Sequence, residues 1–203
     1  MKSRILPIAL ATLVVSGCGM IGGGEKEPKG KANNVDMQQA ADLVEEILNG
    51  TLAAIKPKVE TKRGLSSTPL CTDFKNDSTG TGQVKRGRNV LTIISAERRG
   101  SFVGVVERYW KGEGYEITSV RPNKEKPAVF ARTPEGFQLS LDFGREGQAF
   151  FNVSSPCVTE SDVTEPSKTP IAPDSPEAKG LPYITSTFWS SDTPVPSPPA
   201  EGN

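Results

Sequence analysis

Histidine is missing from all 203 residues. Its absence removes the commonest general base and the commonest metal ligand. No Ser-His-Asp or Cys-His catalytic set, and no His-ligated zinc, can be built from this chain. Long apolar runs are missing too. The longest, Ile5 to Val15, has eleven residues, whereas a membrane-spanning helix needs about 20. Nor is there excess charge of one sign: 24 Lys and Arg face 24 Asp and Glu. Residues 33–157 hold 17 basic and 15 acidic side chains, and residues 158–203 hold two and seven. Neither stretch has the basic excess of a nucleic-acid binder, so no nucleic acid is expected as a partner. Paired carboxylates could do acid–base work without histidine. However, Glu135 and Glu146 fall in separate turns, Asp142 lies on the polar side of a strand, and no spacing sets two of them at a defined distance. Gly80-Thr81-Gly82 lacks the third glycine and the strand-to-helix context of a dinucleotide loop. The chain is therefore expected not to be an enzyme, and to use no metal or cofactor.

The N-terminus is built for export. Lys2 and Arg4 supply positive charge, Ile5 to Val15 supplies the apolar stretch, and the small residues Ser16 and Gly17 precede Cys18. Two ordinary readings exist: a secretory signal with a cysteine at its cut site, or a transmembrane helix, for which eleven residues are too few. Val15-Ser16-Gly17-Cys18 resembles the lipobox of bacterial lipoproteins. That resemblance implies removal of residues 1–17, a diacylglyceryl group on the Cys18 thiol, and a new N-terminus open to acylation. Each buried CH₂ of such an anchor contributes about 0.8 kcal/mol, and two chains hold far more durably than one. The expected address is the extracytoplasmic face of the cell membrane, with the membrane as partner through the lipid.

Removal of the signal leaves 186 residues, enough for one domain with tails or for two very small domains. Residues 18–34, with glycines at 19, 22, 23, 24 and 30, read as a flexible tether. A helix pattern then starts, capped by Asn34 or Asp36. Val44, Ile47, Leu48, Leu52 and Ile55 form one apolar stripe, Gly50 weakens it by about 1 kcal/mol, and Pro57 ends it. Residues 61–82 are polar and turn-rich, with room for a short strand around 69–75 and a loop over 76–82. Residues 84–94 read as a strand.

Ser95 caps a second helix whose face carries Phe102, Val105, Val106, Tyr109 and Trp110. Gly112 and Gly114 stop it. Gly100 and Gly104 either allow close approach of a neighbour or merely weaken the helix. Four strands follow over 115–121, 127–133, 137–143 and 148–154. In the third, Phe137, Leu139, Leu141 and Phe143 alternate with Gln138, Ser140 and Asp142, the period of a half-buried antiparallel strand. Residues 133–136 and 144–147 are the right length for hairpin turns. These elements predict an α+β domain over residues 35–157, a two-layer sandwich with two helices on one face of an antiparallel sheet.

Nine of the 17 prolines lie in 158–203, so that acidic tail is expected to be mostly disordered. One segment in it, Leu181 to Trp189, holds Tyr183, Ile184, Phe188 and Trp189. It either docks, on a sheet edge or in a partner's groove, or stays solvated.

Cys71 and Cys157 are the thiols left in an exported domain, so they are expected to pair. The chain-entropy argument makes that staple worth roughly 4.5 kcal/mol. Tyr109-Trp110 and Phe150-Phe151 are either core or a ligand platform. Lys85, Arg86, Arg88, Arg98 and Arg99 are either a patch facing anionic lipid or wall polymer, or a solvated strand edge.

Taken together, Tyr109-Trp110, Gly114-Tyr115, Gly136-Phe137 and Ser155-Pro156-Cys157, with the lipobox, resemble small actinobacterial lipoproteins of unassigned function. In those proteins a cysteine early in the domain accompanies the terminal Ser-Pro-Cys. The resemblance brings no known ligand and no catalytic residue. The expected function is a membrane-anchored binding or accessory module whose ligand and protein partner the residues do not name. The alternative is a carrier of a lipid or other apolar molecule in a cavity between helices and sheet.

Overall fold

The computed structural model describes residues 35–167 and 171–193. The signal segment 1–17, Cys18 and the tether 18–34 lie outside them. The first helix, α1 (Met37–Ala54), starts at Asp36 in a reciprocal cap. The Asp36 carboxylate accepts from the Gln39 N–H at 2.8 Å, and the Gln39 side-chain oxygen accepts from the Asp36 N–H at 3.0 Å. Two of the free N–H groups at the helix start are thereby satisfied. Val44, Leu48 and Ile55 of the apolar stripe are buried, while Ile47 and Leu52 pack at its margin.

The chain then forms β1 (Thr61–Ser67), β2 (Leu70–Thr72), β3 (Ser78–Gly82) and β4 (Lys85–Val90). The second helix, α2 (Ala96–Gly112), follows, and then β5 (Glu116–Arg121), β6 (Ala128–Arg132), β7 (Gln138–Phe143), β8 (Ala149–Ser154) and β9 (Val158–Thr159). Six strands make one open antiparallel sheet in the order β1-β4-β8-β7-β6-β5. The meander β5 to β8 follows sequence order, and β4 and β1 extend it on the β8 side. Both helices lie on one face, α1 against β4 and β8, α2 against β5 and β6. This is the two-layer α+β arrangement expected from the patterning.

Between the layers sit Val44 and Leu48 of α1, Phe102, Val106 and Trp110 of α2, and Val129, Leu141, Phe143 and Phe151 of the sheet. Phe102 meets Phe143 edge to face, with centroids 6.0 Å apart. The indole N–H of Trp110 donates to the Thr51 hydroxyl at 2.9 Å. This seals the one polar atom that the ring carries inside.

A small second sheet, β2-β3-β9, closes over the start of α1. Met37, Ala40, Ala41, Val84 and Val158 form a separate apolar cluster there. The Cys71–Cys157 disulfide ties β2 to the residue before β9, with Cα atoms 6.3 Å apart.

Several elements depart from the sequence expectations. β1 and β3 occupy stretches read as loop. The 84–94 strand ends at Val90. A side chain added at Gly100 would meet nothing within 4 Å, and one at Gly104 would meet only Arg108 of the same helix. Those glycines therefore serve no close approach.

The largest difference is in the tail. Residues 158–167, expected to lack order, run on across the fold. Val158 and Thr159 pair with β3. The Gln38 side-chain oxygen accepts from the Thr164 N–H at 2.8 Å, and Glu165 accepts from the Ser66 hydroxyl at 2.7 Å. Paired backbone and side-chain partners replace the apolar area that the composition lacks. Leu181 to Trp189 docks on this domain as well, through one isolated parallel bridge between Ile184 and Thr92, just beyond the end of β4 rather than along an edge strand. It lies along the 91–95 connection. Leu91 O accepts from Tyr183 and Ile184 N–H, Ile93 N–H donates to Ile184 O, and Ser95 N–H donates to Trp189 O. Trp189 enters the main core, 1% exposed.

Candidate functional site

Three of the basic residues, Arg86, Arg88 and Arg98, are buried and so are neither a lipid-facing patch nor a solvated edge, while Lys85 and Arg99 are half-buried. Arg86 and Arg88 alternate with Val90 on the inner face of β4, and all three are buried. Arg88 pairs with the Glu45 carboxylate of α1, and Arg63 of β1 joins the same carboxylate at 2.9 Å. Burial pushes the Glu45 carboxyl up, but the two guanidiniums outweigh it and hold its pKa below the ordinary value. Arg86 faces Glu165 of the tail at 3.5 Å, without hydrogen-bond geometry at its buried Nη2. Arg98, also buried, stacks on the Phe188 ring at 4.6 Å. These charges are structural clamps, held by partners from α1 and the tail.

The aromatic pairs divide between core and surface. Trp110 and Phe151 are core, whereas Phe150 is half-buried. Tyr109 turns away from Trp110 and reaches Gly50 of α1. A Cβ at residue 50 would lie 2.6 Å from the Tyr109 hydroxyl, so glycine is what lets the phenol sit against that helix.

Tyr109 opens onto a cleft of about 370 Å³ lined by α1, the end of α2, Tyr115 and the β6–β7 turn. Leu43, Ile47 and Phe137 supply apolar wall, and Glu46, Glu113 and Glu135 supply charge. Burial raises the pKa of Tyr109, and the charges of Glu113 and Glu46 raise it further. Tyr115 is raised by burial first, then by Tyr109, Glu113, Glu135 and Glu46. Both phenols therefore stay protonated well into the alkaline range. That is the reverse of what a tyrosine base or nucleophile needs. Protonated, they are hydrogen-bond donors, each half-buried in the wall of the cleft. Among the described residues, no group of three Cys, Asp or Glu is placed to hold a metal ion.

Glu46 and Gly50 are four apart on α1, and Tyr109 lies four residues before Glu113, the C-cap of α2. Those spacings put each pair on one helix face. The sequence holds that signal, but nothing in it says that the two faces meet, or that Glu135 joins them from a turn.

A second hollow, about 330 Å³, lies on the helix-free face of the large sheet, with Leu65, Phe130, Gln138, Ser140 and Asn152 in its lining. Asp142, on that same face, has its pKa raised by burial, partly offset by Arg121. The space between helices and sheet, where an apolar cargo would sit, is filled by Phe102, Trp110, Phe151 and Trp189. Among the described residues no helix is long and apolar enough to cross a membrane.

No protein-family profile and no curated protein matches the sequence. Two solved structures are similar in part. One is a DUF4853 family protein from Actinomyces odontolyticus, at 12% identity and a TM-score of 0.38, covering 73% of this chain and 81% of that one. The other is LppA from Mycobacterium tuberculosis, described as a candidate lipoprotein, at 12% identity and a TM-score of 0.40, covering 60% of this chain and 75% of that one. At that level neither assigns a family, ligand or reaction here.

Proposed function

We propose that this chain is a lipid-anchored, extracytoplasmic binding or accessory module with no catalytic step of its own, and that the α1–α2 cleft is its binding surface. The observation that carries the reading is the make-up of the cleft. Two protonated phenols and an apolar wall accompany three carboxylates. Such a site suits an organic cation or a basic side chain of a protein partner. Ring faces attract a cation, by about 0.5–1 kcal/mol at exposed sites, and the carboxylates supply the counter-charge. The address rests on the lipobox at Cys18 and on the Cys71–Cys157 disulfide, since such bonds persist in oxidising compartments.

Penta-lysine is a suitable probe. Calorimetric titration of the mature protein should show saturable binding that weakens as salt rises. The Glu113→Gln, Glu135→Gln pair should bind roughly fivefold more weakly, about 1 kcal/mol. Gly50→Ala should also weaken binding, because its methyl displaces Tyr109 while the helix itself is unharmed. Binding that is absent, or indifferent to these changes, overturns the cleft as the site. The address has its own test: Cys18→Ala should move the protein from the membrane to the soluble fraction.

A further inference from the structure

We infer that the tip of the β2–β3 hairpin, led by Phe74, enters the bilayer that holds the chain's own lipid anchor. This rests on the lipoprotein reading of Cys18. Phe74 is 92% exposed, the most exposed large apolar side chain among the described residues, and Leu70 on the same hairpin is 54% exposed.

Looseness does not explain that exposure. The Asp73 carboxylate accepts from the N–H groups of Lys75 at 2.8 Å and Asp77 at 3.0 Å. Asp73 N–H donates to Asp77 O at 2.9 Å, and Asn76 takes the left-handed conformation, φ 67°. Below the tip, Thr79 Oγ1 donates to Cys71 O at 2.9 Å, and Cys71 is bonded to Cys157. A side chain presented on so fixed a turn loses little freedom on docking. Lys75 holds its ammonium 5.5 Å from the Phe74 ring centroid. At an interface the ring can enter the acyl region while the ammonium stays with the phosphates.

Position supplies the second argument. The first described residues lie at the sheet that carries the tip. Asp36 bridges to Thr159, Thr159 pairs with Thr81, and Met37 packs on Gly82. Leu70 pairs with Gly82, and the four residues from Leu70 to Phe74 carry the tip about 14 Å away, at about 3.4 Å per residue. A flexible chain the length of residues 18–34 has a root-mean-square span of about 23 Å. An anchor on a tether of that length would hold the domain near a bilayer at high effective concentration. A protein partner is the weaker candidate, because one ring on a narrow tip falls far short of the area that a stable interface buries.

The test uses the lipidated full-length mature chain carrying Phe74→Trp, on vesicles of equal parts phosphatidylcholine and phosphatidylglycerol. Trp110 and Trp189 are buried and give a constant background. The inference expects a blue shift of the added indole, quenching by brominated acyl chains, and loss of quenching by aqueous acrylamide. If the protein floats with the vesicles while Trp at position 74 keeps its water-exposed emission, tip insertion is wrong and the lipid anchor stands. If Cys18 carries no acyl mass and nothing floats, the lipoprotein reading fails and the inference with it. Protection that appears only when envelope proteins are added, never with lipid alone, overturns the bilayer in favour of a protein partner.

Discussion

On β4 an arginine occupies a position where strand alternation calls for an apolar side chain. Arg88 faces Phe151 across the ladder, yet its guanidinium leaves the core for Glu45 of α1. Replacing Glu45 with Gln leaves that cation buried without its counter-charge. The loss should be about 2–3 kcal/mol, less than the 3–5 of a fully buried pair, since a quarter of the Glu45 side chain stays exposed. The pH dependence has a fixed sign. A carboxylate whose folded pKa is lowered stabilises fully above its unfolded pKa and loses that contribution as pH falls through the folded one. The difference between wild type and Glu45→Gln should therefore be largest near neutrality and shrink below pH 4.5, the ordinary value for this carboxyl. Urea titrations across that range measure it, and a difference that does not change with pH would rule the pair out as a stabiliser. Asp142 works the other way. Its raised pKa disfavours the folded state as pH rises through it, so Asp142→Asn should modestly stabilise at neutral pH. None of this was legible beforehand. A run of basic residues looks solvated until its counter-charges are located, and here they come from distant α1 and from the tail.

Elements that carry their own apolar periodicity were the legible ones. α1, α2, β7 and β8 repeat buried residues at helix or strand spacing and lie where that period put them, while β6 is buried more evenly and β5, an edge strand, lies where expected with mostly exposed side chains. β1 and β3 lack the signal. β1 is an edge strand with half-exposed side chains, and β3, Ser-Thr-Gly-Thr-Gly, is a strand only because β2 and β9 flank it. Its hydrogen-bond partners, not its composition, make it extended. The same contrast gives a prediction for α2. Gly100 is exposed in the helix interior with open space around it. Gly100→Ala should stabilise the fold by roughly 0.5–1 kcal/mol. A thermal midpoint unchanged or lowered in that variant would mean that the residue contacts something not apparent from its surroundings. The cleft follows this pattern as well: each helix face was readable alone, while their meeting at Gly50 and Tyr109 depends on how the two helices cross.

The whole molecule is closed by its C-terminal segment. Cysteine content suggested one staple, and the disulfide is there, but a second closure is non-covalent. Trp189 lies edge-on to Phe102 with centroids 5.0 Å apart and donates its indole N–H to Pro57 O at 2.6 Å. Phe188 beside it receives the Arg98 guanidinium. The sequence singled out this cluster but left docking and solvation both open, and its destination was hidden because the acceptor is a gap between α2 and the 55–59 turn that only the assembled core creates. Trp189→Ala should then cost about 3–5 kcal/mol, the range for removing a buried aromatic ring. Deleting residues 181–203 should cost at least as much and lower the urea m-value, because the tail's buried area no longer contributes on unfolding. In a Trp110→Phe background, Trp189 should emit as a water-shielded indole in the native state and shift red on unfolding. A truncated chain with unchanged midpoint and m-value would make the docked tail an ornament on the surface. The opposite result makes the last apolar cluster of the chain part of its core, and places that core's completion at the end of the sequence.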